Sequence, residues 1–123
     1  MRVGVIGLAG VGRTHINKWS EIAELVSVCD LDSTVLAQVT KSCQINGYTN
    51  VEQMLDQEDL QAISVCTPPK SHLSITQQAA DHGFHVLCEK PMASTVGDCQ
   101  AMILSLIHIS EPPRPRLLSY AVF

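Results

Sequence analysis

The sequence predicts an α/β fold in which helices cover both faces of a doubly wound parallel sheet. Short apolar runs rich in β-branched residues alternate with segments of helical periodicity, and polar or glycine residues follow each run. Because parallel strands need crossover connections, this alternation is typical of such a sheet. The chain has 123 residues, 46% hydrophobic and 16% charged, which is enough for one folded domain and excludes an intrinsically disordered chain.

The first half of the chain predicts three strands and three helices in alternation. The predicted strands are residues 3–6, 24–29 and, more weakly, 47–48. The predicted helices are residues 11–19, 33–43 and 51–56. Asp32 or Ser33 is expected to cap the second helix and Asn50 the third, because these side chains accept hydrogen bonds from the first free N–H groups of a helix.

The second half repeats the pattern twice more. Strand composition is found at residues 62–66 and 85–88, and the prolines after residue 67 prevent the first of these strands from continuing. Ser71 is expected to cap the following helix, which ends near Gly83. The predicted core face of this helix comprises Leu73, Ile75, Gln78 and Ala79. A last helix begins near Thr95.

The alternation stops near Leu104. Three of the six prolines lie at positions 112, 113 and 115, and the stretch from residue 104 onwards resembles the translation of a sequencing adapter. We therefore expect one domain over residues 1–103, followed at residues 104–123 by a non-native-looking or disordered tail. A native extension that packs elsewhere or stays flexible is the alternative.

Charge and cysteine content narrow the classes of partner. The formal net charge of −4 argues against binding to nucleic acid or to an anionic membrane surface. No apolar stretch reaches the length of about 20 residues that a membrane-spanning helix needs.

The five cysteines include no CxxC pair, so we expect no metal site. We also expect a reduced, cytoplasmic protein in which Cys29, Cys66 and Cys88 act as small apolar residues.

A glycine-rich turn joins the first strand to the first helix. The motif GLAGVG occupies positions 7–12, where Gly7 allows the tight turn and Gly12 allows the helix to pack closely on the strand. The N–H groups at the helix start, around Gly10 and Val11, offer a positive dipole to a diphosphate. Ala9 stands where the dinucleotide-binding fingerprint has its second glycine, so its methyl group is expected to weaken or shift diphosphate contact.

Asp30 ends the second strand, 23 residues after Gly7. This is close to the spacing of about 20 residues at which an acid accepts a hydrogen bond from the ribose of a dinucleotide. A carboxylate there repels a 2′-phosphate, which favours NAD over NADP. Asp32 competes for this role, and a plain turn or helix cap is the structural alternative.

Two further strand ends carry candidate residues. Thr67 and Pro68 are expected to lie against the adenosine half of the cofactor, although a structural turn explains them equally well. His72 has no acid or cysteine near it in sequence, which favours a packed or solvent-facing side chain over a general base.

Lys90 follows the last predicted strand, between Glu89 and Pro91. An ammonium on this loop is expected to reach the crevice where nicotinamide and substrate meet, to hold a substrate oxygen or assist proton transfer. A solvated lysine paired with Glu89 is the alternative.

Together, the segments GLAGVGRTH, VCDLD, VCTPPKSH and GFHVLCEKPMAST resemble the amino-terminal half of the glucose-fructose oxidoreductase and inositol dehydrogenase family (Gfo/Idh/MocA). The resemblance covers residues 1–103. The most specific element is the spacing from Thr67-Pro68 through His72 to the Glu89-Lys90-Pro91 motif.

The resemblance implies a Rossmann domain that binds NAD or NADP, and the Asp30 carboxylate makes NADP the less favoured of the two. The resemblance also places Thr67, Pro68, His72 and the Glu-Lys-Pro motif at the cofactor, with Lys90 as the catalytic residue. It also implies a sugar, cyclitol or related alcohol as substrate, bound by a second α/β domain that does not follow residue 103. That second domain is also expected to carry the association surface of a homo-oligomer. We therefore expect an inactive fragment of a dehydrogenase; a non-catalytic module that binds or senses NAD(H) is the alternative.

Overall fold

The protein folds around one parallel sheet with helices packed on both sides. The structure, a computed structural model, describes residues 1–107 and the backbone of residues 117–120. The strands are β1 (Arg2–Ile6), β2 (Glu24–Cys29), β3 (Asn46–Tyr48), β4 (Ala62–Val65), β5 (His85–Cys88) and β6 (Leu117–Tyr120). The helices are α1 (Val11–Ile22), α2 (Ser33–Cys43), α3 (Val51–Gln57), α4 (His72–Asp81) and α5 (Val96–Ile107), with a 3₁₀ turn at Pro69–Ser71.

The strand order in the sheet is β3-β2-β1-β4-β5-β6, and every neighbouring pair is parallel. From β1 the chain first builds outwards through β2 and β3, and then returns to place β4 on the other side of β1. This reversal opens a crevice at the carboxyl ends of β1 and β4, where ligands bind in open α/β sheets. The predicted doubly wound fold is confirmed.

Two hydrophobic clusters cover the two faces of the sheet. One buries side chains of α3, α4 and α5 against Ile6 and Cys29, and the other packs α1 and α2 against Val5 and Val28. Neighbouring residues of a strand point to opposite faces, so a strand covered on both sides is mostly apolar on both faces. This explains the apolar runs of β1, β2 and β4, in which Ser27 of β2 and Ser64 of β4 are buried polar exceptions.

Helix α4 differs from its sequence prediction in two respects. Ser71 makes no capping hydrogen bond, because its hydroxyl group is directed back at Thr67 Oγ1, 2.6 Å away. The buried residues of α4 are His72, Ile75, Thr76, Ala79 and Ala80. Gln78, predicted in the core, instead lines a cleft beside the sheet. The buried face starts at His72, a polar residue that hydrophobic periodicity does not count.

Helix α5 also extends past the predicted boundary at residue 103. Met102 and Leu106, four residues apart, are 1% and 4% exposed and belong to the same core cluster. Residues four apart lie on the same face of a helix, so burial of this face carries α5 to Ile107. Residues 117–120 then pair with β5, while residues 108–116 and 121–123 of the predicted tail lie outside the described residues.

Among the residues that the structure describes, no helix has both the length and the apolar character needed to cross a bilayer.

Candidate functional site

The predicted site residues lie at one edge of the sheet because the strands carrying them end in register. In the sheet register, Ile6 of β1 pairs with Cys29 of β2 on one side and with Val65 of β4 on the other. Val65 in turn pairs with Cys88 of β5. The next residue along each strand therefore lies on the same rim. These rim residues are Gly7, Asp30, Cys66 and Glu89.

The turn between β1 and α1 leaves no space for side chains at two of its glycines. A Cβ atom on Gly7, whose φ is +89°, would lie 2.7 Å from the main chain of Cys66, and one on Gly12 would overlap the carbonyl oxygen of Gly7. The turn can therefore lie close to both β4 and its own helix. Ala9 and Gly10 are exposed at the opening of the turn.

The start of α1 has the chemistry of an anion site. Gly10 precedes the helix with a φ of +55° and supplies no side-chain cap. Within the described residues, the N–H groups of Ala9, Gly10 and Val11 have no protein acceptor. Free N–H groups at a helix start bind phosphate groups. The residues present thus fit the diphosphate of a dinucleotide.

Asp30 joins the glycine turn to the end of β2. Its Oδ2 accepts a hydrogen bond from the N–H of Leu8 at 2.8 Å, and its Oδ1 accepts one from the N–H of Asp32 at 2.8 Å. Asp32 instead caps α2, accepting from the N–H groups of Thr34 and Val35. Of the two predicted acids, Asp30 is therefore the one directed at the glycine turn.

A cleft of about 520 Å³ opens beside this turn. Five of the predicted residues line it, namely Gly7, Ala9, Asp30, Thr67 and Pro68. Polar side chains from the loop after β3 and from the start of α4 complete the wall; these are Thr49, Asn50, Ser71, Ser74 and Gln78. The sequence did not predict this second group as site residues. The one feature that could have indicated Thr49 and Asn50 is their position directly after a strand.

His72 is not in the cleft. It is fully buried, and its two ring nitrogens lie at hydrogen-bonding distance from the carbonyl oxygens of Thr67 (2.6 Å) and Met92 (3.0 Å). This geometry corresponds to the packed histidine suggested by the residues alone. It leaves no ring nitrogen for a direct cofactor contact, because both face the main chain.

Lys90 lies one strand beyond the cleft, on the exposed loop after β5. Among the described residues no ion pair joins it to Glu89. Instead, Glu89 Oε1 lies 3.8 Å from Nε2 of His15 on α1, with both side chains mostly buried. The structure therefore separates two groups of predicted residues: those at the cleft, and the Glu89-Lys90-Pro91 loop beside β4.

His15 is held by a short chain of hydrogen bonds. The indole N–H of Trp19 donates to Oγ of the buried Ser64 at 2.6 Å, and that hydroxyl group lies 3.1 Å from His15 Nδ1. Since an indole can only donate, the hydroxyl group of Ser64 is free to donate to Nδ1. The Nε2 proton of His15 then points towards Glu89.

The cysteines near the rim are protonated thiols. Burial, followed by the charge of Asp30, raises the pKa of Cys29 to about 11. Burial, followed by the charge of Glu89, raises the pKa values of both Cys66 and Cys88 to about 12. Nucleophilic thiol chemistry needs the thiolate, so these cysteines serve packing at the site.

Comparisons with known proteins agree with this geometry. Residues 1–107 match the family GFO_IDH_MocA, described as an oxidoreductase family with an NAD-binding Rossmann fold. The chain is 32% identical over 103 residues to the UDP-N-acetylglucosamine 3-dehydrogenase of Acidithiobacillus ferrooxidans, covering 84% of this chain and 32% of that protein. It is 34% identical over 111 residues to the D-apiose dehydrogenase of Paraburkholderia graminis, covering 88% and 30% respectively.

Among solved structures, the WlbA dehydrogenase from Bordetella pertussis, in complex with NADH and UDP-GlcNAcA, matches with a TM-score of 0.80 and 28% identity. The match covers 85% of this chain and 33% of that one. The chain thus spans about a third of the length of the proteins it resembles. Because the family match extends over residues 1–107, this chain belongs to the Gfo/Idh/MocA oxidoreductase family, described by its NAD-binding Rossmann fold.

Proposed function

We propose that this chain is the NAD(H)-binding part of a dehydrogenase that transfers hydride to or from a sugar, cyclitol or related alcohol. The substrate class rests on the relatives, one of which is a nucleotide-sugar dehydrogenase and another a pentose dehydrogenase. In this proposal the cofactor-binding unit extends from the start of the chain to the end of α5. We assign no cofactor contact to the residues after α5.

The observation that carries the proposal is the pairing of Asp30 with the glycine turn. The Leu8 N–H holds the carboxylate 2.8 Å away, directly beside the free N–H groups at the start of α1. A carboxylate has about four lone-pair sites, and two of those on Asp30 are used by Leu8 and Asp32. The others remain for the hydroxyl groups of a ribose, whose diphosphate then reaches Ala9, Gly10 and Val11.

The same carboxylate favours NAD over NADP. A 2′-phosphate on the ribose would face the negative charge of Asp30 at close range. The cleft offers no compensating cation, because its lining residues include neither lysine nor arginine. Thr67 and Pro68 also line the cleft, and we assign them to the adenosine half of the cofactor.

Bound nicotinamide would supply the hydride chemistry at the Lys90 side of the site. There the exposed ammonium of Lys90 is free of an ion pair to Glu89, so it is available to hold a substrate oxygen or to move a proton. Pro91 restricts the backbone beside it, and Glu89 is occupied by His15. His72 is buried beneath this loop and contacts its main chain at Met92.

Fluorescence titration of the chain with NADH and NADPH tests the proposal. Wild type is expected to bind NADH more tightly, and Asp30→Ala to lose about tenfold in NADH affinity, the size of a hydrogen bond to a charged group. Asp32→Ser, which keeps a helix cap, is the control and should leave both affinities unchanged.

Absence of saturable binding to either nucleotide would refute the proposed cofactor role, and tighter NADPH binding would refute the preference for NAD. Hydride transfer is then assayed with a protein that includes the substrate-binding region of the relatives. NADH binding without turnover across a panel of sugars and polyols would indicate a non-catalytic NAD(H)-binding module.

A further inference from the structure

The buried ring of His72 connects the two loops that carry the proposed cofactor contacts. Nε2 lies 2.6 Å from the carbonyl oxygen of Thr67, which follows β4 and lines the cleft. Nδ1 lies 3.0 Å from the carbonyl oxygen of Met92, two residues after Lys90. One side chain at the start of α4 therefore links the adenosine side of the site to the Lys90 side.

The loop that carries Lys90 has few other polar anchors. Residues 89–95 lie outside helices and strands. Among the described residues, the carbonyl oxygen of Met92 has one other neighbouring donor, the Cys88 thiol at 4.0 Å, which is a weak donor. The Met92 side chain packs against the core, but apolar contacts are non-directional. At its other end the loop is anchored through Glu89, whose N–H donates to the carbonyl oxygen of Val65 at 2.9 Å and whose carboxylate faces His15. The contact with His72 is therefore the main polar anchor of the Met92 end of the loop.

Thr76 provides an internal comparison for His72. Both residues are fully buried on the same face of α4, one turn apart. The Thr76 hydroxyl group has no hydrogen-bond partner among the described residues, whereas both nitrogens of His72 are within reach of main-chain oxygens of the two loops. Burial alone thus does not account for the contacts of His72.

We propose that His72 is a positioning residue that holds the Lys90 loop at a fixed place relative to the Thr67 loop, so that both ends of one dinucleotide meet a preformed site. The inference rests on the proposed function and assigns His72 no chemical step, since its ring does not reach the cleft. Preorganisation of this kind increases affinity by removing the need to order a loop on binding.

A neutral imidazole carries one N–H, so it donates to one of the two carbonyl oxygens at a time, and two amide substitutions test the two contacts separately. The side-chain NH₂ of asparagine lies near the position of histidine Nδ1, so His72→Asn keeps a donor for Met92. The NH₂ of glutamine lies near Nε2, so His72→Gln keeps a donor for Thr67. His72→Phe removes both ring nitrogens and retains a ring, and Thr76→Val is the control for a buried polar change on the same helix face.

The first measurement compares the affinities of the whole chain for ADP-ribose and NADH. Wild type, His72→Asn and Thr76→Val are expected to share one ratio of the two affinities. In His72→Gln and His72→Phe the advantage of NADH is expected to fall about fivefold, the usual effect of one hydrogen bond. Equal losses for both ligands, or His72→Asn behaving like His72→Phe, would refute the positioning role.

The second measurement needs no ligand. Backbone ¹⁵N order parameters of Met92 and Ala93 report motion of the loop on the picosecond to nanosecond timescale. They are expected to fall in His72→Gln and His72→Phe and to stay at the wild-type value in His72→Asn and Thr76→Val. If wild type binds neither ligand, the proposed function fails, while unchanged order parameters in His72→Gln would separately refute the role of His72.

Discussion

Single side chains at the rim of the sheet act through main-chain groups of neighbouring loops. Asp30 accepts from the N–H of Leu8, and His72 lies against the carbonyl oxygens of Thr67 and Met92. These main-chain groups belong to loops that directly follow strands of the sheet or, in the case of Met92, to the Lys90 loop. The positions of these two side chains are therefore determined by the sheet, and the surface they organise is preformed.

Ala9 is the residue at which the glycine turn departs from the dinucleotide fingerprint. Its methyl group is exposed at the opening of the cleft, where a diphosphate would approach. Ala9→Gly is expected to tighten NADH binding about fivefold, by relieving roughly 1 kcal/mol of crowding. Fluorescence titration measures the effect, and an unchanged dissociation constant would contradict it.

The raised pKa values of the rim cysteines predict a pattern of alkylation. At pH 8 a thiol with a pKa of about 12, such as Cys66 or Cys88, has a thiolate fraction of about 10⁻⁴. Cys43, Cys66 and Cys99 are all partly exposed, so the low thiolate fraction of Cys66 should make iodoacetamide modify Cys43 and Cys99 first. Labelling of Cys66 should rise about tenfold per pH unit above pH 8. Peptide mapping by mass spectrometry measures each rate; equal labelling of Cys66 and Cys43 at pH 8 would contradict the expectation.

Whole helices and strands could be predicted wherever their chemistry is local. Asp32 and Asn50 do cap α2 and α3, because a cap needs only the next three residues. Ser71 was predicted wrongly as a cap, since its hydroxyl group is directed at Thr67, a contact set by the preceding turn. The core face of α4 was predicted in part: Ile75 and Ala79 are buried, but the buried His72 and Thr76 are polar, and only tertiary packing shows that they belong to it.

The contact between α1 and β1 depends on Gly12. A Cβ atom there would overlap the carbonyl oxygen of Gly7, so Gly12→Ala is expected to displace the helix start and lower stability by about 2–3 kcal/mol. For a domain of this size that corresponds to a fall in Tm of about 8–12 °C.

Gly97 offers a matched control for this substitution. A Cβ atom there would have 3.9 Å of clearance from Thr95, within the first turn of α5. Gly97→Ala is expected to leave Tm unchanged or raise it slightly, because alanine loses less backbone entropy on folding. Equal effects of the two alanine substitutions would show that the overlap at Gly12 is not the cause.

At the scale of the molecule, sequence order predicted which residues share the functional edge, because parallel strands place their carboxyl ends together. It could not predict the pairing of His15 with Glu89, which are 74 positions apart and come together only in the folded chain. The pairing of residues 117–120 with β5 could not be predicted either, because it is a long-range contact without a periodic pattern in the sequence.

The ion pair between Asp56 and His82 ties α3 to the end of α4 and predicts how global stability depends on pH. The backbone carbonyl of Gln78 raises the pKa of His82, burial lowers it by less, and Asp56, 2.7 Å from Nε2, and the charge of Asp81 raise it further, so that the net shift is upward. A raised histidine pKa stabilises the fold fully below the unfolded value of about 6.5, and this contribution is lost as pH rises through the higher folded value. Asp56 is mostly exposed, so the pair contributes less than about 1 kcal/mol.

Urea unfolding of Asp56→Ala and wild type from pH 5.5 to 8.5 measures this contribution. The free energy of unfolding of Asp56→Ala should be lower than that of wild type at the acidic end, and the two values should converge at the basic end. A difference that stays constant with pH would contradict this linkage.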